Sequence, residues 1–157
     1  MAFEERPDRM VCDLLNGPLV DFRKVPDSCQ TDWGLEMATI LVIDDERDAC
    51  TLIRRVLTAL GHETHVFTDH DPALKWLEGN PVDLVLLDIK LQHVDGISVL
   101  ETIRARQPDI KVIMITGYPS VDTVKKALDL GIEDYLVKPI EIHELEERVS
   151  KALGLIL

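Results

Sequence analysis

The stretch ATILVIDDERD, residues 38–48, decides the fold, because its apolar run ends on two adjacent carboxylates. Ile40-Leu41-Val42-Ile43 has the length and β-branched content of a strand buried on both faces. A buried strand gains no stability from like charges at one end, so Asp44 and Asp45 need a reason beyond folding. Four more short apolar runs follow: ETHVF, DLVLLD, KVIMIT and DYLVK. Between them, apolar residues recur at helical spacing. Leu52, Ile53, Val56, Leu57 and Leu60 make one stripe, which Gly61 stops. Asp71-Pro72 predicts a cap and a first-turn proline, opening a short helix through Leu77. Leu100 and Ile103 mark a third helix, ended before Pro108. Ser120 caps a fourth that carries Val121, Val124 and Leu128, with Gly131 past its end. Ile142, Leu145, Val149 and Leu153 give the fifth.

Strand and helix in alternation, five times over, predict right-handed crossovers and a parallel sheet covered on both faces: an α/β doubly wound sandwich. In such sheets the functional crevice lies outside the carboxyl ends of the strands. That is where Asp44 and Asp45 fall, at the end of the first strand. The third strand ends in Asp88, the fourth in Thr116 and the fifth in Lys138. Two carboxylates ~4 Å apart repel by about 4 kcal/mol at an effective dielectric near 20. Lys138 offsets one charge, and the remainder leaves room for a hard divalent cation. All-oxygen ligands with spare positions for water and phosphate suit Mg²⁺. Alone, Asp44 would be read as a helix cap and Thr116 as an ordinary strand residue. Together at the strand ends they read as a site.

Composition narrows the function classes. The chain has 157 residues, 46% hydrophobic and 29% charged, with a formal net charge of −12. That charge excludes a dominant phosphate-backbone footprint, and 4% aromatic residues give no broad stacking surface for single strands. Direct nucleic-acid contact is not expected. Cys12, Cys29 and Cys50 form no CxxC pair, and the five histidines share no metal spacing. The acidic start has no apolar signal core and no run reaches membrane-spanning length, so a cytoplasmic location is expected.

The segments ILVIDDE, DLVLLDIKLQHVDG, VIMITGY and DYLVKP resemble the signature segments of CheY-like receiver domains of bacterial response regulators, in order, over roughly residues 38–154. The resemblance implies a flavodoxin-like (βα)5 sandwich with sheet order 2-1-3-4-5. It implies that Asp88 is the phosphoacceptor, taking a phosphoryl group from a histidine kinase, a phosphotransfer protein or a small phosphodonor. Asp44, Asp45, Asp88 and the backbone carbonyl of Lys90 would hold Mg²⁺. Lys138 and Thr116 would bind phosphoryl oxygens, and Thr116 with Tyr135 would form the switch. The Lys138-Pro139 bond matches a lysine–proline pair whose peptide is usually cis in the family. Self-association through the face of the fourth helix, fifth strand and fifth helix is a further implication. No enzymatic activity is expected beyond self-phosphorylation and autodephosphorylation. The chain departs from the family pattern at Gln92, where proline is usual, and at Ile132, where alanine is usual. Lys90 and Tyr118 occupy positions where the family varies phosphoryl lifetime. TGYPSVDTVKKAL and KPIEIHEL are more similar to receivers of transcriptional activators with ATPase domains than to the chemotaxis type.

Two other functions compete. An aspartyl phosphohydrolase of the haloacid-dehalogenase type carries DxD after its first strand, where this chain has Asp44-Asp45. A flavodoxin-like nucleotide binder needs a glycine or Ser/Thr-rich phosphate loop at the first strand–helix turn, which is missing. Residues 1–37, with Pro7, Pro18, Pro26, Gly17 and Gly34, read as a poorly ordered extension before a receiver-like unit spanning 38–157. MATILVIDDE from Met37 resembles a complete start, so the extension reads as an upstream start or a partner-binding arm.

Overall fold

In the computed structural model the described residues are 37–155, so the extension expected over residues 1–37 lies outside them apart from Met37. Strands β1 (Thr39–Ile43), β2 (Glu63–Phe67), β3 (Leu84–Asp88), β4 (Lys111–Thr116) and β5 (Asp134–Val137) alternate with five helices. These are α1 (Arg47–Ala59), α2 (His70–Gly79), α3 (Gly96–Arg106), α4 (Val121–Asp129) and α5 (Ile142–Ala152). All strands pair in parallel, in the order β2-β1-β3-β4-β5.

Successive strand residues point to opposite faces, and this alternation sorts the core into two layers. Ile40, Val42, Leu84, Leu86, Ile113, Ile115 and Leu136 pack with α1 and α5 residues such as Ile53, Leu57, Leu145 and Val149. Leu41, Ile43, Val85, Leu87, Val112 and Met114 pack with Ala73, Leu77, Leu100, Ile103 and Ala127 from α2, α3 and α4. The same parity carries past the strand ends. Asp44, Asp88 and Lys138 each lie two residues beyond Val42, Leu86 and Leu136, on the α1/α5 side. Thr116 and Tyr135 follow Met114 parity and belong to the α4 side.

Glycine ends α1 and α4 as predicted, Gly61 at φ 88° and Gly131 at φ 73°, a conformation costly for any residue with a Cβ. Ser120 caps α4 in a reciprocal box with Thr123. One expectation is corrected. The cap of α2 is Asp69, whose carboxylate accepts the Asp71 N–H, so the helix starts at His70 and Pro72 falls inside its first turn. On α4, Val121 is 84% exposed and Leu128 59% exposed, while Ala127 is the residue buried. Val124 is half-buried, so the apolar stripe lies along the edge of the face that α4 turns to the sheet.

One arginine pins the end of that helix. Arg104 of α3 donates to the carbonyls of Leu130 (2.7 Å), Gly131 (2.8 Å) and Pro108 (3.2 Å), and also to Ile110. It satisfies carbonyl groups left open where α4 ends and where β4 is about to begin.

At the other end of the sheet, His62 is buried, and its Nδ1 accepts the Ala38 N–H at 3.3 Å. An accepting nitrogen requires the neutral ring. Burial pushes its pKa below the ordinary value, against the Asp83 charge. The unfolded chain takes up a proton near pH ~6.5 that the folded chain resists, so stability is lost as pH falls below that value. The melting temperature is therefore expected to fall more steeply on acidification through this region in the parent than in His62→Gln. Equal slopes in the two proteins would contradict the assignment.

Candidate functional site

Register fixes the floor of the site before any side chain is considered. Ile43 of β1 pairs with Leu87 of β3, so Asp44 and Asp88 follow at one level on neighbouring strands. Thr116 pairs with Val137, which sets Lys138 one step beyond on β5. Asp44, Asp88 and Thr116 are buried, a state that acids and hydroxyls tolerate only with partners.

Lys138 is the principal partner. Its Nζ lies 2.8 Å from Asp44 Oδ2, 3.0 Å from Asp88 Oδ2 and 3.0 Å from Glu46 Oε2. Burial alone would lower the pKa of this ammonium, but its close contacts with the three carboxylates outweigh it and hold the pKa above the ordinary lysine value. Burial pushes the Asp44 carboxyl up to about 6, and the Asp88 charge adds to the rise. The Lys138 and Glu46 N–H contacts pull it the other way. Asp44 Oδ1 accepts the Glu46 N–H at 2.9 Å. Asp88 Oδ1 accepts the Lys90 N–H at 2.9 Å, so both Asp88 oxygens are held and the rotamer is fixed.

The donor set fits a hard divalent cation. Asp44, Asp45 and Asp88 each offer a carboxylate oxygen within 4.8 Å of the others. Among the described residues Asp44 Oδ2 is buried without a hydrogen-bond partner, its approach to Lys138 being an ion pair off the hydrogen-bonding direction. Oxygen-only donors, gathered from two neighbouring strand ends, suit such an ion.

The site opens into a cleft of about 590 Å³, lined by Asp45, Glu46, Lys90, Tyr118 and Lys138 among others. Lys90 Nζ sits 4.5 Å from the Tyr118 ring centroid, a cation–π contact at the rim of the cleft. Thr116 Oγ1 accepts the Tyr118 N–H at 3.1 Å, so the hydroxyl is engaged by its own loop. Tyr135 is partly buried, and among the described residues its hydroxyl makes no hydrogen bond of good geometry, although the Thr116 and Thr123 side chains are close enough to influence it. The Lys138-Pro139 peptide is cis. Cys50 is buried beneath the site, its thiol donating to the Asp44 carbonyl at 3.0 Å. Burial, with Asp44 next, pushes that thiol up to about 11, which keeps it protonated.

Every predicted site residue therefore lies at this end of the sheet. Lys138 contacts both Asp44 and Asp88, Asp45 and Lys90 border them, and Thr116 and Tyr135 lie on the α4 side. Sequence reasoning missed two participants. Glu46 was passed over as a third acid in a row. Gly96, the first residue of α3, lets that helix start directly against the Asp88 and Ile89 backbone, its N–H donating to the Ile89 carbonyl at 2.6 Å. A glycine just inside a helix start, behind an Asp95 cap, was the available signal.

Comparison with known proteins bears on the family and the fold. The family model described as response regulator receiver domain matches residues 40–150. The transcriptional regulatory protein ZraR of Klebsiella oxytoca is 37% identical over 119 residues, 76% of this chain and 27% of that protein. PrrA of Mycobacterium tuberculosis, also named a transcriptional regulatory protein, is 35% identical over 122 residues, 78% of this chain and 52% of its own length. The chain thus spans between about a quarter and a half of these relatives. Among solved structures, the receiver domain of NtrX from Brucella abortus superposes with a TM-score of 0.69 at 36% identity, covering 73% of this chain and 98% of that one. A CheY-like receiver from Methanospirillum hungatei gives a TM-score of 0.72 at 29% identity, covering 75% and 94%.

Proposed function

This chain belongs to the response regulator receiver domain family, and from that premise we propose that Asp88 is its phosphoacceptor. A phosphohistidine of a sensor histidine kinase or phosphotransfer protein is the expected donor. The observation that carries the reading is the Lys138 ammonium set between the Asp44 and Asp88 carboxylates at three strand ends. In the transfer, an Asp88 carboxylate oxygen forms a bond to phosphorus. The phosphorus–nitrogen bond of the donor breaks, and its electron pair stays on the imidazole, which takes up a proton.

The chain's own residues orient this step. The Lys90 N–H and Lys138 hold the two Asp88 oxygens, which fixes the nucleophile before the donor arrives. Lys138 offers a donor to an incoming phosphoryl oxygen. Thr116 would exchange its Tyr118 N–H contact for another phosphoryl oxygen, drawing residues 117–118 inward. Asp44, Asp45, Asp88 and the Lys90 carbonyl would hold Mg²⁺. Bound there, the ion would neutralise charge on the transferring group.

The readout follows from the parity of the sheet. Thr116 and Tyr135 lie on the α4 side, beneath a surface on which Tyr118, Val121, Leu128 and Val137 are exposed. An inward shift of the loop after β4 would change that face, which suits a partner protein or a second copy of this chain. The relatives' names point to transcriptional control, and a DNA-binding step would belong to regions outside the receiver fold.

The reading is tested by incubating the full chain with acetyl phosphate and following intact mass. A single acid- and base-labile phosphoryl adduct is expected with Mg²⁺ and none with EDTA. An adduct that forms equally well in EDTA would refute the acidic site as the place of transfer.

A further inference from the structure

The Lys138 ammonium has three N–H donors, and three carboxylates surround it. Its two hydrogen bonds go to Glu46 Oε2 and Asp88 Oδ2, and Asp44 Oδ2 pairs with it off the hydrogen-bonding direction, so an arriving phosphoryl oxygen competes with a carboxylate on each side of the ammonium. Asp44 is fully buried at a strand end, and Asp88 is the acceptor itself. Glu46 differs from both. It occupies the N-cap position of α1 but caps nothing, since no helix N–H bonds to its side chain. That side chain turns instead into the cleft, 60% exposed, and places Oε2 3.0 Å from Lys138 Nζ. A glutamate is a poor cap, so its reach toward Lys138 is not a by-product of starting the helix.

We propose that Glu46 is a positioning residue that occupies the phosphoryl-binding direction of Lys138 before transfer and leaves for water when a phosphoryl group arrives. The inference rests on the reading of Asp88 as phosphoacceptor. The carboxylate is a built-in competitor of the phosphodonor. It keeps Lys138 aimed into the site and sets how much donor is needed to displace it. The contact is reversible because it is half in solvent, where a single ion pair is weak.

Two variants separate displacement from plain charge repulsion. Glu46→Gln removes the charge. Glu46→Asp keeps the charge, shortens the reach by one methylene and gives α1 a better cap, so the fold is not at risk. Initial rates of acetyl phosphate labelling are measured against donor concentration for both. Each variant is expected to lower the apparent KM by about two- to fivefold, the range that loss of one half-exposed ion pair supports. The gain should fall on KM rather than on the maximal rate. In metal-free protein, both should also raise the rate at which an amine-reactive ester modifies Lys138, read by peptide mass. Parental KM in Glu46→Asp would overturn the proposal, because repulsion alone would then explain any effect of Glu46→Gln. Unchanged Lys138 reactivity in both variants would overturn it as well. Asp88→Asn is carried as a control. Labelling that persists in that variant would remove the reading of Asp88, whereas parental behaviour of both Glu46 variants beside a silent Asp88→Asn would remove only the role of Glu46.

Discussion

Asp88→Asn is expected to abolish phosphoryl incorporation while leaving the protein at least as stable as its parent. Asparagine has the same shape, and its amide oxygen can keep the Lys90 N–H contact that Asp88 Oδ1 makes at 2.9 Å. It has no anionic oxygen to attack phosphorus, so labelling should fall by at least about 10³-fold, the low end of what losing a nucleophile costs. The stability prediction has a separate cause. Asp44 is pushed up to about 6 first by burial and then, among other contacts, by the Asp88 charge. A carboxyl whose folded pKa lies above its unfolded value gives stability that is present below the unfolded value and lost as pH rises through the folded one. At neutral pH the parent therefore bears the cost of holding an ionised Asp44 beside Asp88. Removing the Asp88 charge relieves part of it, and the gain in melting temperature should be larger at pH 7 than near pH ~4. Parental labelling, or a marked loss of stability at neutral pH, would contradict the arrangement around Lys138.

The two-residue alternation along the strands was readable directly, and it carried most of the site with it. Placing Asp44, Asp88 and Lys138 at strand ends required only the apolar runs and their ends, whereas their common layer follows from the packing of α1 and α5. Helix caps built from residues adjacent in sequence were also readable, as with Ser120 and Gly131. The cap of α2 was misplaced by two residues because Asp69 and Asp71 are equally suited by type. Only the backbone angle at Asp69 decides between them. Which side of α4 is buried was not readable from its stripe. Helical period shows that apolar residues share a face but not which way the face points. Here Ala127 marks the buried side, and Val121 and Leu128 are left outside. Arg104 could not have been read at all. The Leu130 and Gly131 carbonyls it holds lie 26 and 27 residues away, and no local pattern links them to a basic residue at the end of α3. Glu46 was hidden by its neighbours, since a third acid after Asp44 and Asp45 carries no signal that its side chain turns to a lysine 92 positions on.

Gly96→Ala is expected to be the most damaging single methyl group in the fold. The first turn of α3 lies directly on the end of β3. A Cβ at residue 96 would stand 2.6 Å from Ile89 Cα and 2.9 Å from the Ile89 carbonyl carbon, and closer still to the Asp88 carbonyl oxygen. All three are backbone atoms, so no side chain can rotate to make room. Alanine favours a helix over glycine by up to about 1 kcal/mol, which works toward stability. Overpacking against an immovable neighbour typically costs 1–3 kcal/mol and here lies at the upper end or beyond, so the clash wins. A net loss of about 2 kcal/mol corresponds to a fall on the order of 8 °C in melting temperature for a unit of this size. The function should suffer more than the stability. Relief requires α3 to retreat or Ile89 to shift, and Lys90, whose N–H holds the Asp88 carboxylate, follows directly in the chain. A displacement of ~1 Å in a positioned nucleophile is enough to slow transfer by about 10²-fold. Calorimetry and acetyl phosphate labelling of the same preparation measure both effects. A variant that melts and labels like the parent would show that α3 does not support the phosphoacceptor through this contact.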